Sequence, residues 1–258
     1  MTEAIHLSAV IDPGARIAPG VAIGPGAIIG PGVTIGPNCR LGSHVVLERQ
    51  VRLGRGVSVG AGSVLGSAPQ DIKYTDEESI VEIRDDTVIR EHVTINRGTA
   101  ASGATIVGRD CFLMTYVHVA HDCRIGDRVT IANATQLSGH VTIEDNANLS
   151  GLIAVHQFVT IGTHAFIGGS SRIPQDIPPY VKAVGNPVKL YGLNTIGLQR
   201  AGFLPESISA LKRAYRLLFN SSVSRAEALE RLEPEADRVP EVRRLLEFVS
   251  STRRGVPA

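Results

Sequence analysis

An aliphatic side chain returns every six residues along most of this chain, and that period constrains its fold more than any other feature. The series runs Ile5, Ile11, Ile17, Ile23, Ile29, Ile35, Leu41, Leu47, Leu53, Val59, Leu65. It resumes at Ile83, Ile89 and Ile95, and again from Val107 through Leu113, Val119 and Ile125 to Ile173. Six does not fit the 3.6-residue turn of an α-helix, but it is a multiple of the strand period of two. Four early units continue with Pro13-Gly14, Pro19-Gly20, Pro25-Gly26 and Pro31-Gly32. Proline presets the first central dihedral of a type II turn and glycine takes the positive φ of the second. Each hexapeptide therefore reads as a short strand closed by a turn. Four residues after the aliphatic position stands a small or β-branched one (Ala15, Val21, Ala27, Val33, Cys39, Val45), as a narrow interior requires.

Strand-turn units with no helices between them stack as a parallel β-helix, one coil about 4.8 Å above the last. Three hexapeptides per coil give a triangular prism. The composition suits this. Aromatic residues make up only 4% of 258 and tryptophan is missing, so the core must be packed from Ile, Val, Leu and Ala. With 26 basic against 25 acidic side chains the net charge is +1, which argues against a nucleic-acid partner. The 43% apolar fraction argues against disorder, and no apolar run approaches the length of a membrane span. Met1-Thr2-Glu3-Ala4 lacks the basic start of a signal peptide, which predicts a cytoplasmic protein. Three cysteines (Cys39, Cys111, Cys123) form no disulfide framework and read as free thiols, with Cys111 and Cys123 at inward positions.

The register is interrupted at 66–80 and 97–105, and loops ejected from a solenoid tend to carry function. The repeat fades near Ile177-Pro178-Pro179-Tyr180. Beyond about residue 190 the pattern turns helical, with Ile208, Leu211, Tyr215, Leu218 and Phe219 on one face. The expected organisation is a β-helix over 1–189 and a small α-helical domain over 190–258.

Histidines cluster on the prism. His118, His121 and Cys123 superficially suggest a metal site, but Cys123 points inward while His121 sits in a turn, so no metal is expected. A coil of 18 residues puts His121, Gly139 and Gln157 on one corner, with His140 and His156 beside them. A histidine near a backbone N–H suits general-base catalysis with oxyanion stabilisation. The spacing is equally compatible with a ladder of solvated turn histidines.

Several segments resemble a known family. His118-Val119-Ala120-His121-Asp122-Cys123, Ser138-Gly139-His140, Ala154-Val155-His156-Gln157-Phe158, Gln70-Asp71-Ile72-Lys73-Tyr74 and Gly202-Phe203 are similar to signature segments of the UDP-N-acetylglucosamine acyltransferases. These are hexapeptide-repeat enzymes of lipid A biosynthesis. The resemblance covers essentially the whole chain and implies a left-handed β-helix, an exception to right-handed crossover. It implies transfer of a 3-hydroxyacyl group from acyl carrier protein to the 3-hydroxyl of UDP-N-acetylglucosamine. It implies His121 as base, Asp122 as its orienting partner and the Gly139 N–H as oxyanion donor. Asp71, Lys73, His118, His140, His156 and Gln157 match sugar-nucleotide or acyl contacts, with Lys73 suited to phosphate. Asn194 and Arg200 match nucleotide contacts from the tail. Gly169 matches the position that sets acyl length, where glycine leaves room for a long chain. The family also implies a homotrimer and no cofactor. Ile196 stands where the family has an acidic residue, and Ala201 where it has a second arginine, so the uridine contacts here differ.

Other readings stay open. The same base could serve a 3-amino UDP-sugar, in which nitrogen attacks. The related N-acyltransferase carries an additional N-terminal uridine-binding domain, for which hexapeptides beginning at Ile5 leave no room. A coenzyme A-dependent acetyltransferase would be separated by its acyl donor. A silent or ice-binding scaffold would be expected to show threonine arrays on one flat face, which this sequence lacks.

Overall fold

The computed structural model describes residues 5–257; residues 1–4, on which the signal-peptide expectation rests, lie outside them. Most hexapeptides form a two-residue strand followed by a two-residue turn, and the strands stack into three parallel faces. Face one holds nine strands, from Val10–Ile11 to Arg172–Ile173. Face two holds eight, from Arg16–Ile17 to Thr160–Ile161. Face three holds ten, from Ala22–Ile23 to the closing hairpin Val181–Val184 and Lys189–Leu193.

The expected coil of 18 residues is seen in the register: Val10 lies beside Ile28, His118 beside Gln136 and Gln136 beside Ala154. Where Val64 pairs with Thr94 and Thr94 with His118, extra residues have been accommodated as loops 68–79 and 97–103. Both loops leave the prism at the edge where face one passes into face two.

The turns explain the proline-glycine pattern. Gly20, Gly26 and Gly32 take φ of 77°, 67° and 68°. The same position is later filled by Asp122, His140, Leu152, Phe158 and Ser170, all with φ between 54° and 65°. An L-residue in this region costs roughly 1–2 kcal/mol, which the ladder of backbone bonds between coils outweighs. Because Leu152 and Ser170 share it, this conformation belongs to the coil and is no mark of a site.

The interior is a column of fully buried Ile, Leu and Val, including Ile29, Leu47, Ile95, Leu113, Leu137 and Ile143. Cys39, Cys111 and Cys123 belong to this column, as expected. Helices α1 (Thr195–Arg200), α2 (Pro205–Phe219), α3 (Arg225–Ala236) and α4 (Pro240–Ser251) follow the prism. They share a second apolar cluster around Leu211, Leu232, Leu245 and Leu246. Buried Asp176 ties the tail to the last coil, accepting from the Thr160 and Arg253 amides at 2.7 and 3.2 Å and from the Thr252 hydroxyl at 2.6 Å. No helix among the described residues is long and apolar enough to cross a membrane.

Close packing of a one-residue-wide column leaves little room to relax. Leu137→Ala is expected to cost about 2–5 kcal/mol, read as a lowered denaturant midpoint with an unchanged slope.

Candidate active site

The edge between faces one and two carries most of the chemistry. His121-Asp122, Gly139-His140 and Gln157-Phe158 are the turns of three successive coils. The His140 amide donates to the His121 carbonyl at 3.0 Å and the Phe158 amide to the Gly139 carbonyl at 3.2 Å, which stacks the three turns. His121 Nδ1 lies 2.7 Å from Asp122 Oδ2. The contact that sequence adjacency left open is therefore made.

Asp122 is 4% exposed, yet its carboxylate is surrounded by donors. Thr99 donates its amide at 3.0 Å and its hydroxyl at 2.8 Å, and the Ser102 hydroxyl adds a further short bond. Burial alone would raise this carboxyl, but hydrogen bonds from Ser102, His121 and Thr99 outweigh it and bring it down to about 2. Asp122 is thus an anion at neutral pH. Its contribution to stability is complete above the ordinary unfolded value near 3.9 and is lost as pH falls towards 2. An anionic acceptor on Nδ1 fixes the proton there and leaves Nε2 of a neutral His121 as the basic atom.

The ring of His121 stands over Gly139. A Cβ at position 139 would lie 2.6 and 2.7 Å from Cε1 and Nε2 of that ring, so only glycine lets it occupy this place. The Gly139 amide has no hydrogen-bond partner among the described residues. The coil does not need it, because prolines, which have no N–H, occupy the equivalent turn position in the early units. One basic nitrogen and one free backbone donor thus share an edge.

His140 meets His121 edge-on at 5.1 Å between ring centroids and stacks on Phe158 at 4.5 Å. His118 is held by Thr94, Nδ1 to Oγ1 2.7 Å. Burial first, and His121 second, push the His118 pKa down, so folding favours its neutral form. In an NMR titration its ring is expected to protonate below the free value of about 6.5. Stability should decline as pH falls through 6.5 and level off below the folded value. A midpoint at or above 6.5 would contradict this.

His121, Asp122 and His140 bring potential ligand atoms within 4.8 Å of one another. The four lone-pair directions of Asp122 are already met by two donors from Thr99, one from Ser102 and one from His121. The carboxylate is an orienting anion in this geometry, with no lone pair left to bind a metal.

His156 and Gln157 are exposed on the same edge, with His156 Nδ1 3.1 Å from the Gln157 carbonyl. Asp71 and Lys73 lie on loop 68–79, which leaves from that edge, and Asp71 Oδ1 accepts the Lys73 amide at 2.9 Å. The remaining candidates do not join this group. Asn194 caps α1, accepting the Gly197 amide at 3.2 Å and donating to the His164 carbonyl at 3.0 Å. With Arg200 and Ile196 it lines a groove of about 790 Å³ that includes Arg128 and His164, on the edge between faces two and three. Gly169 lies on the third edge, where an added Cβ would sit 3.2 Å from the Gly151 carbonyl oxygen. Within one chain the candidates are divided over three edges.

Thr99 and Ser102 escaped the sequence reading, and Phe158, although part of a matched segment, received no role there. The hydroxyls lie on a loop whose path no periodicity reports. Phe158 did carry a signal, being a large apolar ring at a turn position outside the inward pattern.

Comparison with known proteins agrees with this architecture. Residues 176–257 match the family described as UDP N-acetylglucosamine O-acyltransferase, domain 2. Residues 8–37, 32–67 and 104–139 match bacterial transferase hexapeptide repeats. The acyl-[acyl-carrier-protein]–UDP-N-acetylglucosamine O-acyltransferase of Syntrophobacter fumaroxidans is 48% identical over 194 residues, 74% of this chain and 75% of that protein. The enzyme of that name from Thiobacillus denitrificans is 45% identical over 193 residues, again 74% and 75%. A crystal structure of a UDP-N-acetylglucosamine acyltransferase from Bacteroides fragilis superposes with a TM-score of 0.96 at 40% identity, covering 98% of this chain and all of that one. A parallel β-helix that follows those enzymes over nearly its whole length has their left hand, as the resemblance implied. The chain is thus an acyltransferase and belongs to the UDP-N-acetylglucosamine O-acyltransferase family.

Proposed function

We propose that the protein transfers a 3-hydroxyacyl group from acyl carrier protein to the 3-hydroxyl of UDP-N-acetylglucosamine, in the cytoplasm, as the first step of lipid A biosynthesis. The observation that carries this reading is the His121–Asp122 pair, 2.7 Å apart, beside the free amide of Gly139. His121 Nε2 takes the proton of the sugar hydroxyl while its oxygen attacks the thioester carbonyl. The developing oxyanion receives the Gly139 N–H. Collapse breaks the C–S bond, and the carrier thiolate leaves with the proton that His121 returns. Attack is direct, with no acyl-cysteine. All three thiols are buried, and burial pushes Cys111 up to about 11 and Cys123 up to about 12.

Asp71, Lys73, His118, His140, His156 and Gln157 hold the sugar nucleotide and the acyl group, Asn194 and Arg200 the nucleotide, and Gly169 limits acyl length. Division of these residues over three edges favours a homotrimer in which the catalytic edge of one chain meets the nucleotide groove of the next. Ile72, Leu152, Phe158 and Ile196, more than half exposed in the single chain, suit such a contact.

The test is a matrix of donors and acceptors followed by mass spectrometry. Carrier-protein and coenzyme A thioesters of several lengths are offered against UDP-N-acetylglucosamine and its 3-amino analogue. The expected product is an ester formed from long 3-hydroxyacyl carrier protein. Acylation of the amino sugar alone, or transfer from coenzyme A alone, would overturn the reading. Sedimentation giving only monomer at micromolar concentration would overturn the trimer.

A further inference from the structure

The two ejected loops are joined by one buried cation. Arg97, the first residue of loop 97–103, is 2% exposed. Its Nη2 donates to the Tyr74 hydroxyl at 2.9 Å, its Nη1 donates to the Gly66 carbonyl, and its guanidinium lies 5.9 Å from the centroid of the Tyr74 ring. The nearest carboxylate oxygen, Asp76 Oδ1, is 3.9 Å away on a side chain 68% exposed. Tyr74 directly follows Lys73 on loop 68–79. Two residues beyond Arg97, Thr99 holds Asp122 with amide and hydroxyl, and Ser102 adds a third donor. A single short segment therefore grips the substrate loop with one end and the partner of the base with the other. A second tie runs from the Ala100 amide to Glu77 Oε1, 3.1 Å.

This junction is not built for stability. A buried cation without a close, buried carboxylate is expensive. Ser79 Oγ, Asn96 Oδ1 and Arg97 Nε, all at the roots of the two loops, are buried without a partner among the described residues. Unsatisfied groups of this kind are uncommon in native interiors and call for an explanation. What Arg97 supplies instead is geometry, since a planar fork fixes both the Gly66 carbonyl and the Tyr74 hydroxyl at once.

We infer that Arg97 is a positioning residue that sets the Asp71–Lys73 segment at a fixed place relative to the His121–Asp122 pair, through the Tyr74 hydroxyl. The inference rests on the reading above in treating Asp71 and Lys73 as sugar-nucleotide contacts. The dyad keeps its own bonds to Thr99 and Ser102 when the Tyr74 link is cut. Loss of the link therefore weakens substrate binding and spares the chemical step.

Tyr74→Phe removes the hydroxyl and keeps the ring. A hydrogen bond to a charged group of this type corresponds to roughly a tenfold effect. KM for UDP-N-acetylglucosamine is expected to rise about tenfold, with kcat within about threefold of wild type. Amide hydrogen exchange should quicken at Lys73 and Tyr74, while the Thr99 amide keeps its protection. An unchanged KM overturns the inference whatever the exchange shows, because the link would then be structural only. A raised KM with unchanged exchange in 68–79 also overturns it. If the wild-type chain acylates no acceptor, the reading of the reaction fails by itself. The inference is then decided by exchange together with the Kd for UDP-N-acetylglucosamine, which must rise about tenfold in the variant.

Discussion

A His121→Ala chain is expected to fold like the wild type and to lose roughly 10²–10⁴-fold in kcat. Among the described residues the one side-chain hydrogen bond of this ring goes to Asp122 Oδ2 at 2.7 Å, and His121 is a turn residue outside the apolar column. Its removal opens no core cavity. Asp122 keeps the donors from Thr99 and Ser102, so the carboxylate is not stranded. What disappears is the imidazole whose Nδ1 is bonded to the Asp122 carboxylate and whose Nε2 is left to take a proton. KM for the sugar nucleotide should change much less than kcat, because the base acts on the transition state more than on the bound ground state. Steady-state kinetics beside a thermal melt decide the matter. A variant with unaltered kcat would remove His121 from the mechanism.

Gly139→Ala tests the same edge without deleting any catalytic group. The new methyl would fall 2.6 Å from His121 Cε1 and 2.7 Å from Nε2, well inside contact distance. The His121 ring must swing away, and the 2.7 Å bond to Asp122 must stretch or break with it. Displacement of a catalytic group by about 1 Å can cost on the order of 10²-fold in rate. The backbone amide survives the substitution, so the loss reports the ring and not the N–H. Gly139 has no positive φ, and alanine lowers the entropy of the unfolded chain, so stability should stay within about 1 kcal/mol. The expected outcome is an unchanged melt with kcat down about a hundredfold. A rate within threefold of wild type would mean that the ring does not work where it stands in the structure.

How much of this could be read in advance follows from what each residue depends on. The hexapeptide period carries the prism because one inward aliphatic and one small inward residue per unit leave no other way to bury them. From the coil length alone, His121, Gly139 and Gln157 fall into one column, and the register confirms the column residue by residue. The donors on Asp122 were hidden because loop 97–103 belongs to no period, so nothing in the sequence said that Thr99 and Ser102 return to the edge one coil on. The division of Asn194, Arg200 and Gly169 from His121 was hidden for a different reason. Family resemblance collects these residues by role, whereas position on a prism depends on the running count of residues around its edges, including those added by two loops.

The central claim is that one chain supplies the base and a neighbouring chain the nucleotide groove. It is tested most directly by mixing two inactivated chains. One carries His121→Ala; the other carries Asn194→Ala with Arg200→Ala. Each is assayed alone, and then as mixed oligomers isolated through two different tags. In a head-to-tail trimer that holds both chains, about one contact in three pairs an intact His121 edge with an intact groove, whichever chain is present twice. The mixed oligomers should therefore regain about a third of the wild-type rate of UDP-N-acetylglucosamine acylation. Isolated mixed oligomers no more active than either parent would contradict the account.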